Sequence, residues 1–182
     1  RQRQMCIRDS PNTVAGALKV LTGLGVDLIN VHAVGGEKMM AVAAEAIKNK
    51  AAELGVGRPQ LLAVTILTSM DEAQFAALNY NNTIAEQVVA LAKLAQKAGL
   101  DGVVASPQEA AAIREACGPD FLIVTPGVRP AGSATDDQSR IATPAQAFSA
   151  GATHIVVGRP IMKAKDRKAA ATAIVDEIKN VG

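Results

Sequence analysis

Aromatic side chains are nearly absent from this chain, which has no tryptophan, one tyrosine and three phenylalanines among 182 residues. That scarcity excludes the stacked aromatic platforms on which proteins hold single-stranded nucleic acid. Cysteine is as rare: Cys6 and Cys117 stand alone, without CxxC spacing, and only two histidines accompany them. A disulfide framework and a zinc site are both excluded, and a reducing, cytoplasmic setting fits. No apolar run approaches the roughly 18 residues of a membrane span. The opening RQRQMCIRDS has no apolar region behind its arginines, so it does not read as a secretory leader. Charge of one sign is lacking too. The formal net charge of +2 is carried by Arg1, Arg3, Arg8 and Asp9, so the chain from residue 11 onward is neutral. No basic stripe marks a nucleic-acid or membrane partner.

What the chain has in quantity is Ala, Val, Ile and Leu, with 49% of residues hydrophobic. From residue 14 onward, short β-branched runs alternate with longer Ala/Lys/Glu stretches of helical spacing. This predicts strands at 27–33, 61–67, 102–106, 121–127 and 154–160, each nearly continuously apolar as in a parallel sheet covered on both faces. Helices are expected at 12–24, 36–53, 82–98, 107–116, 143–150 and 163–180. Ser106-Pro107 and Thr143-Pro144 read as a cap followed by proline at the first helical position. Gly99, Gly118 and Gly151 read as left-handed helix ends. Alternating βα units form either an open doubly wound sheet or a closed barrel. No GxGxxG follows a first strand, and the polar residues of interest fall at the C-terminal ends of strands. The expected class is therefore α/β, a partial (β/α)8 TIM barrel with about five βα units.

Those polar residues are His32, Thr68, Ser106, Arg129 and Arg159. The segment VTPGVRPAGSATDDQSRIATPAQAFSAGATHIVVGRPI, residues 124–161, is the most informative. Glycines let backbone N–H groups approach oxygens without Cβ obstruction, and a guanidinium offers a planar fork. Loops after the last strands of a barrel are where phosphate is bound. In the competing reading, Gly127 and Gly132 only permit a tight turn and Arg159 pairs with a surface carboxylate. His32 reads as a strand-end packing residue.

Together with DLINVHAVGG, AVTILTSM and DGVVASPQEA, this segment resembles the orotidine 5′-phosphate decarboxylase family over nearly everything from Pro11 onward. The resemblance implies decarboxylation of orotidine 5′-phosphate to UMP in pyrimidine biosynthesis, with no metal and no organic cofactor, by a homodimer. It implies that Arg129, Gln138, Gly158 and Arg159 surround the nucleotide phosphate. Thr13, Thr68, Ser106 and Pro126 fall at further substrate-binding positions. For Thr68 and Ser106 helix capping is a compatible second role. Ala131 stands where many members carry glutamine.

The same resemblance implies Asp-x-Lys-x-x-Asp just before Pro11-Asn12-Thr13. Aligned without gaps, Asp9 falls on the second carboxylate and would act across the dimer interface, but Gln4 replaces the first carboxylate and Cys6 the catalytic lysine. Residues 1–10 show neither strand alternation nor a helical face. They are expected to be a foreign segment, with 11–182 an incomplete barrel domain that is inactive as written. Strands beginning at Asp27 and His154 would then be exposed edges that invite aggregation. Two rival functions are a Mg-dependent phosphosugar decarboxylase or aldolase, and a non-catalytic nucleotide-phosphate-binding fragment.

Overall fold

The computed structural model describes residues 10–130 and 142–179. Five strands, β1 (Leu28–His32), β2 (Gln60–Val64), β3 (Gly102–Val104), β4 (Leu122–Thr125) and β5 (His154–Ile155), form one parallel sheet in the order β1-β2-β3-β4-β5. Each strand therefore lies beside its neighbour in sequence, as right-handed βα crossovers produce. The α/β class and the five expected strands are both present. By its internal contacts the chain divides into two compact units, Arg1–Thr65 with Leu91–Val103, and Ile66–Ala90 with Val104–Gly182.

In the first unit, α1 (Pro11–Thr22) begins where Ser10 leaves the extended conformation and its Oγ accepts the Thr13 N–H at 3.2 Å. Proline at the first helical position is pre-set for the helix and has no N–H to leave unpaired. Helix α2 (Gly36–Leu54) buries Met39, Met40, Ala43, Ala46, Ile47 and Ala51, a single face at three- and four-residue spacing. It stops at Gly55, whose φ of 65° suits a residue without Cβ. Strand β2 buries Leu61, Leu62 and Ala63 in succession, as expected of a strand covered on both faces. Strand β1 does not: Leu28 and Asn30 are exposed while Ile29 and Val31 are buried. The near-continuous burial expected of every strand fails here because β1 ends the sheet, pairing in parallel with β2. At the foot of the sheet the Arg58 guanidinium makes a two-pronged contact with Asp101, which also accepts the Leu61 N–H at 2.7 Å.

Helix α4 (Ile84–Lys97) opens with a reciprocal cap, the Thr83 N–H on Glu86 and the Glu86 N–H on the Thr83 hydroxyl. Its buried Ile84, Val88, Leu91, Ala92 and Ala95 fall on one stripe.

In the second unit, several elements depart from expectation. A short helix, α3 (Glu72–Ala76), capped by Asp71, occupies a stretch for which no element was predicted. Helix α5 (Ala110–Cys117) begins well beyond Pro107, because Ser106 caps a turn instead, its Oγ accepting the Gln108 N–H at 3.2 Å. Helix α6 (Pro144–Ser149) starts at Thr143-Pro144 as expected, with a complete capping box between Thr143 and Gln146. The strand expected over 154–160 is only two residues long, and Arg159–Met162 forms the short helix α7. Pro160 accounts for the change: it cannot donate to a sheet ladder but fits the first turn of a helix. Helix α8 (Arg167–Lys179) begins where Asp166 accepts the Ala169 N–H, later than expected.

Arg114 on α5 holds the base of this unit. Its guanidinium donates to the carbonyls of Gly118, Pro119, Phe121 and Gly151 at 2.7–2.8 Å. Gly151 has φ 100°, and a Cβ there would lie 3.3 Å from the Arg114 side chain, so this position needs glycine twice over.

Candidate functional site

Strands β4 and β5 run in parallel register, Val124 opposite His154 and Thr125 opposite Ile155. Their C-terminal ends therefore release two loops side by side. The first carries Pro126, Gly127, Val128 and Arg129, and the second carries Gly158 and Arg159. Val128, Ala147 and Ala152 form a buried cluster against which Ile155 and Val157 pack, so the residues flanking Arg129 and Gly158 share one apolar base. Pro130 and Pro160, which follow the two arginines, line one cavity of about 250 Å³ with Ala170, Ala173, Ile174 and Glu177 of α8. The structure thus brings the Arg129 and Arg159 segments together.

Gly127 has φ 77°, which turns the chain sharply after β4. Val128 then forms a parallel bridge with Ala142, and the Arg129 N–H donates to the Ala142 carbonyl at 2.9 Å. This fixes the backbone of Arg129. Its side chain is 6% exposed; one terminal nitrogen donates to the Val128 carbonyl at 2.9 Å, and Nε has no hydrogen-bond partner among the described residues. A buried guanidinium with an unused donor is costly unless an anion completes it. Gly158 is exposed at the N-cap of α7, and its carbonyl accepts the Ile161 and Met162 N–H groups. A short helix after the last strand is a recurrent part of barrel phosphate sites. Arg159 is half-buried at the first position of α7.

Ser106 is fully buried just beyond β3, and the neighbouring Ala105 N–H donates to the Val124 carbonyl of β4. Its side chain is thereby held at the strand end next to the Pro126 loop. Thr68 is buried at 7% exposure in the turn after β2. The helix that follows it, α3, takes its N-cap from Asp71.

The first unit holds a separate feature. A cavity of about 300 Å³ is lined by Ser10, Pro11, Val14, Val31, His32, Val34, Gly35 and Met39. Thr13 stands in the first turn of α1 beside it, with its hydroxyl 2.9 Å from that of Ser10. His32 is half-buried at the end of β1 and faces this largely apolar cavity. Gln4, Cys6, Asp9, Ala131 and Gln138 lie outside the described residues. Among the described residues no three His, Cys, Asp or Glu side chains are grouped to hold a metal ion, and no helix is long and apolar enough to cross a membrane.

Two residues that shape this region escape sequence reasoning. Arg114 and Glu177 act through backbone groups far along the chain, and neither belongs to a motif.

Comparison with known proteins bears on the same residues. The family model "Orotidine 5′-phosphate decarboxylase / HUMPS family" matches residues 7–174, a span that includes Asp9 and Thr13 as well as every described site residue. The chain is 56% identical over 174 residues to an orotidine 5′-phosphate decarboxylase of Moorella thermoacetica, covering 95% of this chain and 69% of that one. It is 56% identical over 170 residues to the protein of that name from Trichlorobacter lovleyi, covering 93% and 70%. Among solved structures, an orotidine 5′-phosphate decarboxylase from Lactobacillus acidophilus superposes with a TM-score of 0.81 at 42% identity, covering 94% of this chain and 72% of that one.

Proposed function

This chain belongs to the orotidine 5′-phosphate decarboxylase / HUMPS family, and from that premise we propose that its site binds orotidine 5′-phosphate and UMP, substrate and product of a decarboxylation in pyrimidine biosynthesis. The observation that carries this reading is the buried Arg129, whose Nε has no partner among the described residues, on the loop beside Gly158 and Arg159. In this reading Arg129, Gln138, Gly158 and Arg159 hold the phosphate. Pro126, Ser106 and Thr68 border the nucleoside. Thr13 is a further substrate-binding residue, and Asp9 serves the site of a partner subunit in a homodimer. The ligand is a small molecule rather than a nucleic acid, and the setting is cytoplasmic.

The chemistry explains what else the reaction needs. Loss of CO₂ from C6 of the pyrimidine leaves carbanionic character on a carbon with no adjacent carbonyl to delocalise it. An ammonium at that carbon stabilises the charge and delivers the proton, while a neighbouring carboxylate disfavours the substrate's own carboxylate. Cys6, which we align with the lysine of the family, does neither, and Gln4 replaces the first carboxylate. Residues 11–182 supply the phosphate end of a (β/α)8 barrel site. The segment 1–10, as written, does not supply its proton donor.

The test is calorimetric titration of the chain with UMP, alongside turnover of orotidine 5′-phosphate. Saturable UMP binding is expected, with turnover at least about 10⁴-fold below that of a lysine-bearing relative. Absence of UMP binding would sink the phosphate-site reading. Turnover abolished by a chelator would favour the Mg-dependent phosphosugar reading instead.

A further inference from the structure

Ala142, the residue that holds the backbone of Arg129, immediately precedes Thr143, the cap of helix α6. The first-turn donors of α6 can be accounted for one by one. Pro144 has no N–H. The Gln146 N–H donates to the Thr143 hydroxyl at 3.2 Å, and the Ala147 N–H to the Thr143 carbonyl at 3.0 Å. The remaining donor, the Ala145 N–H, is taken at 3.1 Å by Glu177 Oε1, 32 residues away on α8. The carboxylate also stands at the positive end of α6, where a negative charge is favoured. Glu177 is half-buried, and the cavity it lines is walled on the other side by Pro130 and Pro160, the residues that follow the two arginines. The adjacent Ile174, one turn back on α8, is buried at 6% exposure and anchors the helix.

We propose that Glu177 is a positioning residue for phosphate binding: by capping α6 from α8 it fixes Thr143 and Ala142, and through the Ala142 carbonyl the backbone of Arg129. This rests on the reading of Arg129 as a phosphate ligand. A helix start left with an unpaired donor frays, and fraying of α6 would loosen the backbone hydrogen bond from Arg129 to Ala142. Such a loss falls on the phosphate and spares the nucleoside.

The test compares the full chain with Glu177→Ala, Glu177→Gln and Glu177→Asp, measuring Kd for UMP by calorimetry and for uridine by ligand-observed NMR. Glu177→Ala is expected to weaken UMP about tenfold while leaving uridine unchanged. Glu177→Gln keeps an acceptor oxygen and is expected to stay within about twofold of the parent. Glu177→Asp, one methylene short, should show part of the loss, and it decides the matter if the alanine variant does not fold. Equal UMP affinity in the parent and in Glu177→Asp and Glu177→Ala overturns the proposal, as does equal weakening of UMP and uridine. If the parent chain binds no UMP, the phosphate-site reading itself has failed and this inference goes with it, an outcome distinct from a silent Glu177 variant.

Discussion

The first turns of α1 and α6 are built from the same parts and serve different ends. Each has a hydroxyl residue at the cap and proline at the first helical position, and in each the hydroxyl accepts an N–H three residues on. At α1 the described side-chain cap is local, from Ser10. At α6 a second cap comes from Glu177, 32 residues away. The two units also differ in what their described contacts surround. In the first, His32 and Ser10 border an apolar cavity. In the second, long-range hydrogen bonds to backbone, from Arg114 and Glu177, fix the segments on either side of a buried arginine. Local caps are enough to start a helix. Holding a guanidinium where an anion can reach it requires the loop backbone to be fixed from elsewhere in the fold.

The comparison can be tested by removing its parts. The largest effect is expected at the ligand itself: Arg129→Ala should weaken UMP binding about 100-fold, since a charge-assisted, forked contact is lost. Calorimetry on the folded variant checks this, and an unchanged affinity would detach Arg129 from the site. Next comes the base of the second unit. Arg114→Ala strands four carbonyls, those of Gly118, Pro119, Phe121 and Gly151, and should cost about 2–4 kcal/mol in urea unfolding. In the first unit, Asp101→Asn weakens the Arg58 pair and the acceptor of the buried Leu61 N–H, for which about 1–2 kcal/mol is expected by the same measurement. If the Asp101 variant proved the more damaging, the first unit would lean on its distant contact more heavily than the second does on those of Arg114. The smallest effect is local. The Thr83 N–H, and then its hydroxyl, hold the Glu86 carboxyl below its ordinary pKa. A lowered carboxylate pKa means that this cap contributes above the ordinary carboxylate range and is lost as pH falls through the lowered value. An acid titration of the Thr83 amide resonance by NMR should show this transition, and a Glu86→Gln variant should abolish it.

Much of the fold could be read before any coordinates. The β-branched runs marked all five strands, and Thr143-Pro144 marked the start of α6, because these signals are carried by neighbouring residues. The expected edges, strands beginning near Asp27 and at His154, are the two ends of the sheet. The errors share a cause as well. The expected strand runs through Arg159 and Pro160 because apolar residues precede them, whereas Pro160 and the turn at Gly158 favour a helix. Ser106-Pro107 has the composition of a helix cap but closes a turn, since the backbone reaches α-helical geometry only at Ala110. Glu109, not Ser106, occupies the cap position.

The candidate site divides along the same line. Residue types alone carry the proposal of a phosphate end: glycines at 127 and 158, and arginines at 129 and 159, each before proline. That chemistry is local, since glycine admits close approach and arginine offers a fork wherever they stand. Only the tertiary structure decided that the two arginine segments emerge side by side from β4 and β5, that Arg129 is buried with Nε unpaired among the described residues, and that Glu177 completes the helix beside it. The physical reason is the range of the interactions. Capping and turn propensities act over three or four residues and leave a pattern in the sequence. A hydrogen bond between a carboxylate and an amide 32 residues apart leaves none, and exists only once the sheet and α8 have brought them together.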